Sequence, residues 1–189
     1  MRKIILVGIL ATIAILPANV FSQQKAGAAF KQEFLDAINQ TRQSGCKCGT
    51  SYMKPVAPLV WNDLLENAAL AHARDMGEHN YFSHTSRNGK NSSDRAIAAG
   101  YNYNGYKTFT VGENIAFGQQ SIAEVMAGWF KSEGHCKNLM SADFKEVGVA
   151  QYNTYWVQDF GGRIPFSAEQ QKMIKSGRIR IIQRPPAEN

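Results

Sequence analysis

The spacing of hydrophobic and polar residues predicts helices along most of the chain and strands mainly near its end. Apolar residues three or four positions apart are typical of amphipathic helices. The predicted helices are 28–42, 62–79, 92–99, 122–130 and 135–140. The second is expected to start at Asn62 or Asp63, with Asp63 and Glu66 as a capping pair, and Ser121 with Glu124 is expected to cap the fourth.

Alternation of apolar and polar residues predicts strands at 110–117, 146–152 and 155–160. Asn153-Thr154 separates the last two, which favours an antiparallel hairpin. A short alternating stretch at 178–181 is a candidate edge strand. Helices come first and strands late, without regular alternation. This order predicts an α+β domain in which helices pack on a small antiparallel sheet.

The N-terminus has the layout of an export signal. Arg2 and Lys3 precede an uncharged apolar run at 4–16, and small or modest residues lead to an expected cleavage between Ser22 and Gln23. The run is shorter than the about 20 residues that span a bilayer, so an uncleaved anchor is the less favoured alternative. We therefore predict a secreted or periplasmic protein with no stable membrane span after cleavage.

Composition and charge fit one domain of ordinary size. The chain has 189 residues, 44% of them hydrophobic, with 21 basic and 15 acidic residues. Among the residues after the predicted signal, the excess positive charge falls in 163–189 and leaves 23–162 neutral overall, which argues against a nucleic-acid-binding core. The predicted organisation is a signal peptide at 1–22, a domain at 23–162 and a basic C-terminal extension at 163–189.

Three cysteines, Cys46, Cys48 and Cys136, follow the predicted signal. One disulfide is expected in an oxidising compartment, and a bridge between Cys46 and Cys48 would be strained. One of these two is therefore expected to pair with Cys136, which would stabilise the fold by about 4 kcal/mol. The sequence leaves open which of them pairs. A metal site of three thiolates is the less favoured alternative.

Four histidines and one carboxylate are the candidates for chemistry. His72 lies within a predicted helix and His79 near its end, which favours structural or capping roles. His84 lies in irregular chain and His135 in a turn between helices, where side chains can project into a cleft, although position alone favours a surface or capping role for each. Glu113 lies among apolar residues on a predicted strand, and burying it is costly unless it is paired. Spacing alone does not decide whether Glu113 is structural or faces a histidine.

Several short motifs occur in a characteristic order. They are Phe82-Ser83-His84, Gly112-Glu113-Asn114-Ile115, Trp129 with Gly134-His135, Asn138-Leu139-Met140, Gly148-Val149-Ala150 and Tyr155-Trp156-Val157-Gln158-Asp159-Phe160-Gly161. Their ordered set, over residues 30–161, resembles the CAP superfamily of cysteine-rich secretory, antigen-five and plant pathogenesis-related-one proteins. The bacterial SCP-like extracellular proteins are the most similar subtype. The resemblance implies an α-β-α sandwich with a central cleft.

The resemblance also implies a set of cleft residues. In that family two histidines and two acidic residues line the cleft, and the histidines can hold a divalent metal ion, often zinc. Three of these positions are matched by His84, Glu113 and His135. The fourth is open, because Ser132 occupies the position where eukaryotic members have an acidic residue. Glu133 and Asp159 are the two alternatives.

These residues favour a non-catalytic binding module. Two imidazoles would bind zinc weakly, and Glu113 would fix the tautomer of one ring or serve as a base for a bound water. A zinc hydrolase usually has three protein ligands, so two ligands argue against catalysis. The expected ligand is small, lipid-like or a peptide, from the extracellular space or the cell envelope. The alternatives are a peptidase-like, metal-assisted hydrolase and an adhesion protein. An aromatic loop at 101–106 is compatible with either ligand contact or a structural role. We expect the protein to be a monomer.

Overall fold

The computed structural model describes residues 19–181, with side chains from residue 27 onward. Most of the predicted signal peptide, residues 1–18, lies outside the described residues, and its cleavage remains a prediction. The described chain forms these elements: α1 Asn19–Ser44, β1 Cys46–Cys48, β2 Ser51–Met53, β3 Val60–Trp61, α2 Asp63–His79, α3 Ser92–Ala98, β4 Tyr106–Phe117, α4 Ile122–Lys131, α5 Glu133–Leu139, β5 Glu146–Tyr152, β6 Tyr155–Pro165 and α6 Ala168–Lys175.

The main sheet has four strands in the order β3-β5-β6-β4. The predicted hairpin is confirmed as β5 and β6, which pair antiparallel, and β4 pairs antiparallel with the other side of β6. Strand β3 pairs parallel with β5. Strand β4 therefore lies at one edge of this sheet.

Helices cover both faces of the sheet, which confirms the α-β-α sandwich. One face carries Val149 and Phe160, which pack with apolar residues of α1, α4 and α5. The opposite face carries Ala150 and Val157, which pack against α2. Because successive residues of a strand point to opposite faces, the two halves of the core come from alternate positions of the same strands. Among the described residues, no helix has both the length and the hydrophobicity needed to cross a membrane.

Helix α2 lies directly on β5 at Gly148. A Cβ atom at this glycine would be 2.0 Å from the backbone nitrogen of Glu66 and 2.4 Å from the carbonyl carbon of Leu65. Only a residue without a side chain permits this approach. The close contact positions α2, and the loop that follows it, against the sheet.

The limits of the elements correct several predictions. Helix α1 begins at Asn19, nine positions earlier than predicted, and β4 begins at Tyr106, within the predicted aromatic loop. The predicted Asp63 and Glu66 capping pair is wrong: the side chain of Asn62 accepts from two backbone amides of α2. Asp63 and Glu66 instead bind Lys31. Their carboxylates thus join α2 to α1 rather than close its first turn.

The predicted cap of α4 is confirmed in part. The hydroxyl of Ser121 accepts from the backbone amide of Glu124, as expected for a capping residue. The reciprocal bond is shifted by one position, because the carboxylate of Glu124 accepts from the backbone amide of Gln120. Helix α4 therefore has the cap but not the full capping box.

The C-terminal part also differs from the prediction. Strand β6 continues to Pro165, and Arg163, within the predicted basic extension, donates to Glu146 at 3.0 Å. The candidate strand at 178–181 is wrong. The backbone amides of Arg178 and Ile179 donate to the carbonyl of Met173, which closes the end of α6. Because these two amides close the end of the helix, they are not available for hydrogen bonds in a sheet.

The disulfide joins Cys48 of β1 to Cys136 of α5 and leaves Cys46 as a thiol. This pairing resolves the choice that the sequence left open. The bridge fastens the two-stranded sheet of β1 and β2 to the helix that carries His135.

Candidate functional site

The carboxylate of Glu113 is the centre of a buried polar cluster on β4. Its side chain is 2% exposed. The Nδ1 atom of His84 donates to one carboxylate oxygen at 2.7 Å, and the guanidinium of Arg95 donates to the other. A buried carboxylate needs such partners, because the loss of hydration is otherwise uncompensated. The structure therefore brings Glu113 and His84 together, and both oxygens of Glu113 are in use.

Arg95, on α3, is a site residue that the sequence reasoning missed. Besides Glu113, its Nη1 atom donates to the carbonyls of His84 at 3.0 Å and Lys90 at 2.9 Å, and to the hydroxyl of Ser86 at 3.1 Å. Its guanidinium thus holds the loop that carries His84 in a fixed path. An arginine in a helix of seven residues is usually a solvated charge, so no local signal distinguishes this one.

His72 supports the same loop from α2. Its side chain is fully buried, its Nε2 atom donates to the carbonyl of Ser83 at 2.8 Å, and the Ser86 hydroxyl donates to its Nδ1 atom at 3.3 Å. Burial lowers the pKa of His72, and the charge of Arg95 lowers it further. The ring is therefore neutral and structural, as predicted. His79 lies at the end of α2, with Nδ1 2.9 Å from the carbonyl of Asp75.

Asp159 lies beside Glu113 but is closed off from the cleft. The two residues are directly opposite each other on β6 and β4, so their side chains share a sheet face. Asp159 is fully buried, and neither of its carboxylate oxygens has a hydrogen-bond partner among the described residues. Burial raises the pKa of Asp159 well above its usual range, the charge of Glu113 raises it further and Arg95 opposes the shift. Burial therefore favours the protonated form of Asp159 behind Glu113.

Glu133, the other candidate for the fourth cleft position, has different contacts. Its side chain is half exposed on α5 and accepts from Lys137 at 2.6 Å. Its carboxylate also packs against Gly49, where an added Cβ atom would be 2.4 Å from an oxygen. Glu133 therefore lies against the turn between β1 and β2 and takes no part in the cluster around Glu113.

His135 lies on α5 at one end of an apolar groove of about 280 Å³. The lining residues are Phe82, Ile115, Ala116, Gln119, Val125, Gly128, Trp129, Ser132 and His135. Burial lowers the pKa of His135, and the nearby ring of His84 lowers it further. His135 is therefore neutral near pH 7. Ser132 lines the same groove, so the position that lacks the expected acidic residue still faces the cleft.

Two asparagines fasten α5 to β4. The Nδ2 atom of Asn114 donates to the carbonyl of His135 at 3.2 Å. The Nδ2 atom of Asn138 donates to the carbonyl of Glu113 at 3.2 Å and to the side-chain oxygen of Asn114 at 2.9 Å. These bonds position His135 against the same stretch of β4 that carries Glu113. They also account for the polar residues in two of the short motifs.

Exposed aromatic rings flank the groove. Phe82 and Phe117 are 52% and 54% exposed, and their ring centres are 6.3 Å apart. Tyr155 packs against Phe117 at 4.5 Å. Clustered exposed aromatics commonly mark a binding surface. By contrast, Tyr101 at the start of the aromatic loop is buried and donates to Glu146 at 2.7 Å, which is a structural role.

His84 has one ring nitrogen that remains available to bind a metal ion. Because Nδ1 of His84 is held by Glu113, its Nε2 atom is the free ligand nitrogen, and the side chain is 58% exposed. Glu113 has no free oxygen to give. Across residues 27–181, the sulfurs of Cys46, Cys48 and Cys136 are the single group of three or more potential ligand atoms close enough to share an ion. The imidazole pair is therefore a weak site at most.

A larger cavity lies elsewhere, between α2 and α3. It has a volume of about 540 Å³, and its lining includes His72, Ser86 and Arg95. None of the predicted cleft residues lines it. The smaller groove is the candidate functional site, because it is lined by His135 and by the exposed ring of Phe82.

The fold has counterparts in known proteins. An extracellular protein from Bacillus anthracis (strain Ames) that contains an SCP domain has a solved structure with a TM-score of 0.60 and 28% identity, covering 78% of this chain and 44% of that chain. An outer surface protein of Borrelia burgdorferi shares the fold at a TM-score of 0.56 and 20% identity, covering 75% of this chain and 95% of that chain.

The protein YkwD of Bacillus subtilis (strain 168) is 31% identical over 138 residues, which are 72% of this chain and 48% of YkwD. This chain therefore spans less than half the length of YkwD. The model of the cysteine-rich secretory protein family matches residues 35–160, a range that contains His84, Glu113 and His135. The chain belongs to the cysteine-rich secretory protein family, known as CAP.

Proposed function

We propose that this protein is an exported, non-catalytic binding module whose cleft along β4 takes a divalent metal ion and a small, partly apolar ligand. One observation carries the proposal: the imidazole of His135 lines an apolar groove together with Phe82, which lies two positions before the exposed ring of His84. Ligand sites in proteins commonly combine an apolar lining with a few polar groups that fix orientation.

The state of the carboxylates favours binding over catalysis. A general base must be within hydrogen-bond reach of the proton that it removes. Glu113 is 2% exposed and already accepts from His84 and Arg95, and Asp159 is enclosed behind it. Neither carboxylate has a free oxygen that faces the groove. The hydrolase is therefore the alternative function rather than the proposed one.

The metal would be held by His84 through Nε2 and by His135. Zinc would supply a positive charge and open coordination positions for a ligand oxygen. The bond between Glu113 and Nδ1 of His84 fixes the tautomer that leaves Nε2 free. Such a carboxylate behind a metal-binding imidazole also increases the basicity of the ring.

The lining of the groove supports a ligand with an apolar part and a hydrogen-bond donor. Ile115, Val125 and Trp129 provide apolar surface. Gln119 lines the same groove, and its side-chain oxygen is buried with no partner among the described residues. A buried acceptor without a partner is costly, and a ligand N–H or O–H group would satisfy it once the Gln119 side chain turned toward the groove. This favours a peptide segment over a plain hydrocarbon chain.

The proposed site of action is outside the cytoplasm. The Bacillus anthracis relative is described as extracellular and the Borrelia burgdorferi protein as an outer surface protein. Together with the predicted signal peptide and a disulfide, these descriptions support export.

The test is a calorimetric titration of the exported protein with zinc at neutral pH. A Cys46→Ala background removes the free thiol as a competing ligand. We expect one saturable site that is lost in His84→Ala and in His135→Ala and retained in His79→Ala, a matched change at an exposed histidine. No binding to the folded protein would exclude the metal. Peptide hydrolysis that survives purification and is lost in His84→Ala would replace the binding module with the hydrolase.

A further inference from the structure

Strand β1 presents two cysteine side chains on one face. Cys46 and Cys48 are two positions apart, so their side chains point to the same side of this three-residue strand. That side meets α5, where Cys136 forms the disulfide with Cys48. The Sγ atom of Cys46 is 3.9 Å from that of Cys48 and 3.8 Å from that of Cys136. The free thiol therefore contacts both sulfurs of the bridge.

The three sulfurs differ in their exposure. Cys48 and Cys136 are fully buried, whereas Cys46 is half-buried. Cys46 is thus the member of the group that can reach the surface. The strand holds it in place, because Cys46 pairs with Met53 of β2. A thiol held next to a disulfide reaches it without diffusion, but attack along the line of the S–S bond first requires rotation of the Cys46 side chain, because its Sγ atom is nearly equidistant from both sulfurs.

We propose that these three cysteines form a thiol–disulfide exchange site whose substrate is the chain's own bridge, so that Cys136 pairs with either Cys48 or Cys46. The Cys46 thiol loses its proton, and the thiolate attacks the Sγ atom of Cys136. The Cys46–Cys136 bond forms as the Cys48–Cys136 bond breaks. Cys48 leaves as a thiolate and takes up a proton. No electrons are gained or lost overall, so the step needs no oxidant or reductant.

Both pairings join the same strand to the same helix. Cys46 and Cys48 lie on β1, and Cys136 follows His135 on α5. Exchange therefore moves the bridge without releasing the helix that carries His135. Burial raises the pKa of the Cys46 thiol, so the reactive thiolate is scarce at neutral pH and exchange is slow.

The experiment maps the bridge by mass spectrometry. The full chain is expressed with export to an oxidising compartment, incubated near pH 8, quenched by alkylation of the free thiol at mildly acidic pH, and then digested without reduction. Trypsin cuts after Lys47 and so separates Cys46 from Cys48. We expect the peptide of Cys136 to be found linked to each of the other two peptides, with the Cys46-linked form increasing over the incubation.

Two single variants provide matched controls. Cys46→Ala is expected to contain only the Cys48–Cys136 bridge. Cys48→Ala is expected to contain a Cys46–Cys136 bridge, no titratable thiol, and a thermal midpoint close to that of Cys46→Ala. A folded Cys48→Ala protein with two free thiols would overturn the proposal. If that variant does not fold, the bridge mapping of the unsubstituted chain tests the proposal. Finding only the Cys48–Cys136 bridge after days of incubation would also overturn the proposal.

Discussion

At the scale of single residues, Glu113 links the conformation of a loop to the interior of the domain. Its two oxygens accept from Arg95 and His84, and Arg95 also holds the backbone around His84. Since a buried carboxylate is stable only when its charge is compensated, these contacts act as one unit. The orientation of the His84 ring follows from this unit.

The unit can be tested with Glu113→Gln. The variant keeps the shape of the side chain but leaves the guanidinium of Arg95 buried without an opposite charge. Loss of one partner of a buried pair typically costs about 3–5 kcal/mol, and we expect a decrease in the free energy of unfolding of that order. Urea unfolding measures it. Glu133→Gln is the matched control, because its exposed pair with Lys137 should contribute less than about 1 kcal/mol.

Asp159 predicts a pH dependence of stability. Burial raises its pKa in the folded state above the unfolded value of about 4, so the folded protein binds more protons than the unfolded chain at higher pH. Stability from this group is therefore complete below about pH 4 and falls as the pH rises toward the folded pKa. Asp159→Asn, which cannot ionise, should lose this dependence. Unfolding free energies of both proteins from pH 5 to pH 8 test it, and a constant difference between them would contradict it.

At the scale of elements, the approach of α2 to the sheet depends on Gly148. In Gly148→Ala the new Cβ atom would overlap the backbone of α2, which cannot move aside as a flexible side chain can. We expect a destabilisation of at least about 1–3 kcal/mol, the usual cost of overpacking.

Gly128→Ala, in α4, is the matched control for this prediction. A Cβ atom there meets no heavy atom within 4 Å, and alanine is up to about 1 kcal/mol better than glycine in a helix. Opposite signs for the two variants in thermal unfolding would support the argument. Equal effects would show that α2 tolerates displacement.

The elements that local patterns predicted well are those with long or repeated signals. Helix α2 and strand β5 match their predicted ranges closely, and β6 begins where predicted, because apolar periodicity in these segments extends over several turns or pairs. The cap of α2 and the candidate strand at 178–181 were wrong. Both predictions depended on the hydrogen-bond partners of a few polar groups, which local patterns do not specify. The side chain of Asn62 binds the first amides of α2, and a carbonyl of α6 binds the amides of Arg178 and Ile179.

At the scale of the whole molecule, the disulfide connects segments that are 88 positions apart. It restricts the unfolded chain, and for a loop of this length the entropic model gives about 4–5 kcal/mol. Cys136→Ala removes every possible bridge to β1. We expect its free energy of unfolding to fall by about that amount relative to Cys46→Ala, measured in urea without reductant. A difference below about 1 kcal/mol would show that the bridge contributes little to stability.

The sequence by itself determined the family, because ordered motifs are a property of the chain, and the α-β-α architecture followed from that resemblance. His84, Glu113 and His135 as cleft residues remain a prediction. The sequence also indicated that Glu113 needs a partner. Only the tertiary structure decided that Arg95 and His84 are those partners, that Asp159 lies behind Glu113 and that Glu133 lies apart from it. Sequence separation contains no information on these distances, since they follow from strand register and from the packing of helices on opposite faces of one sheet.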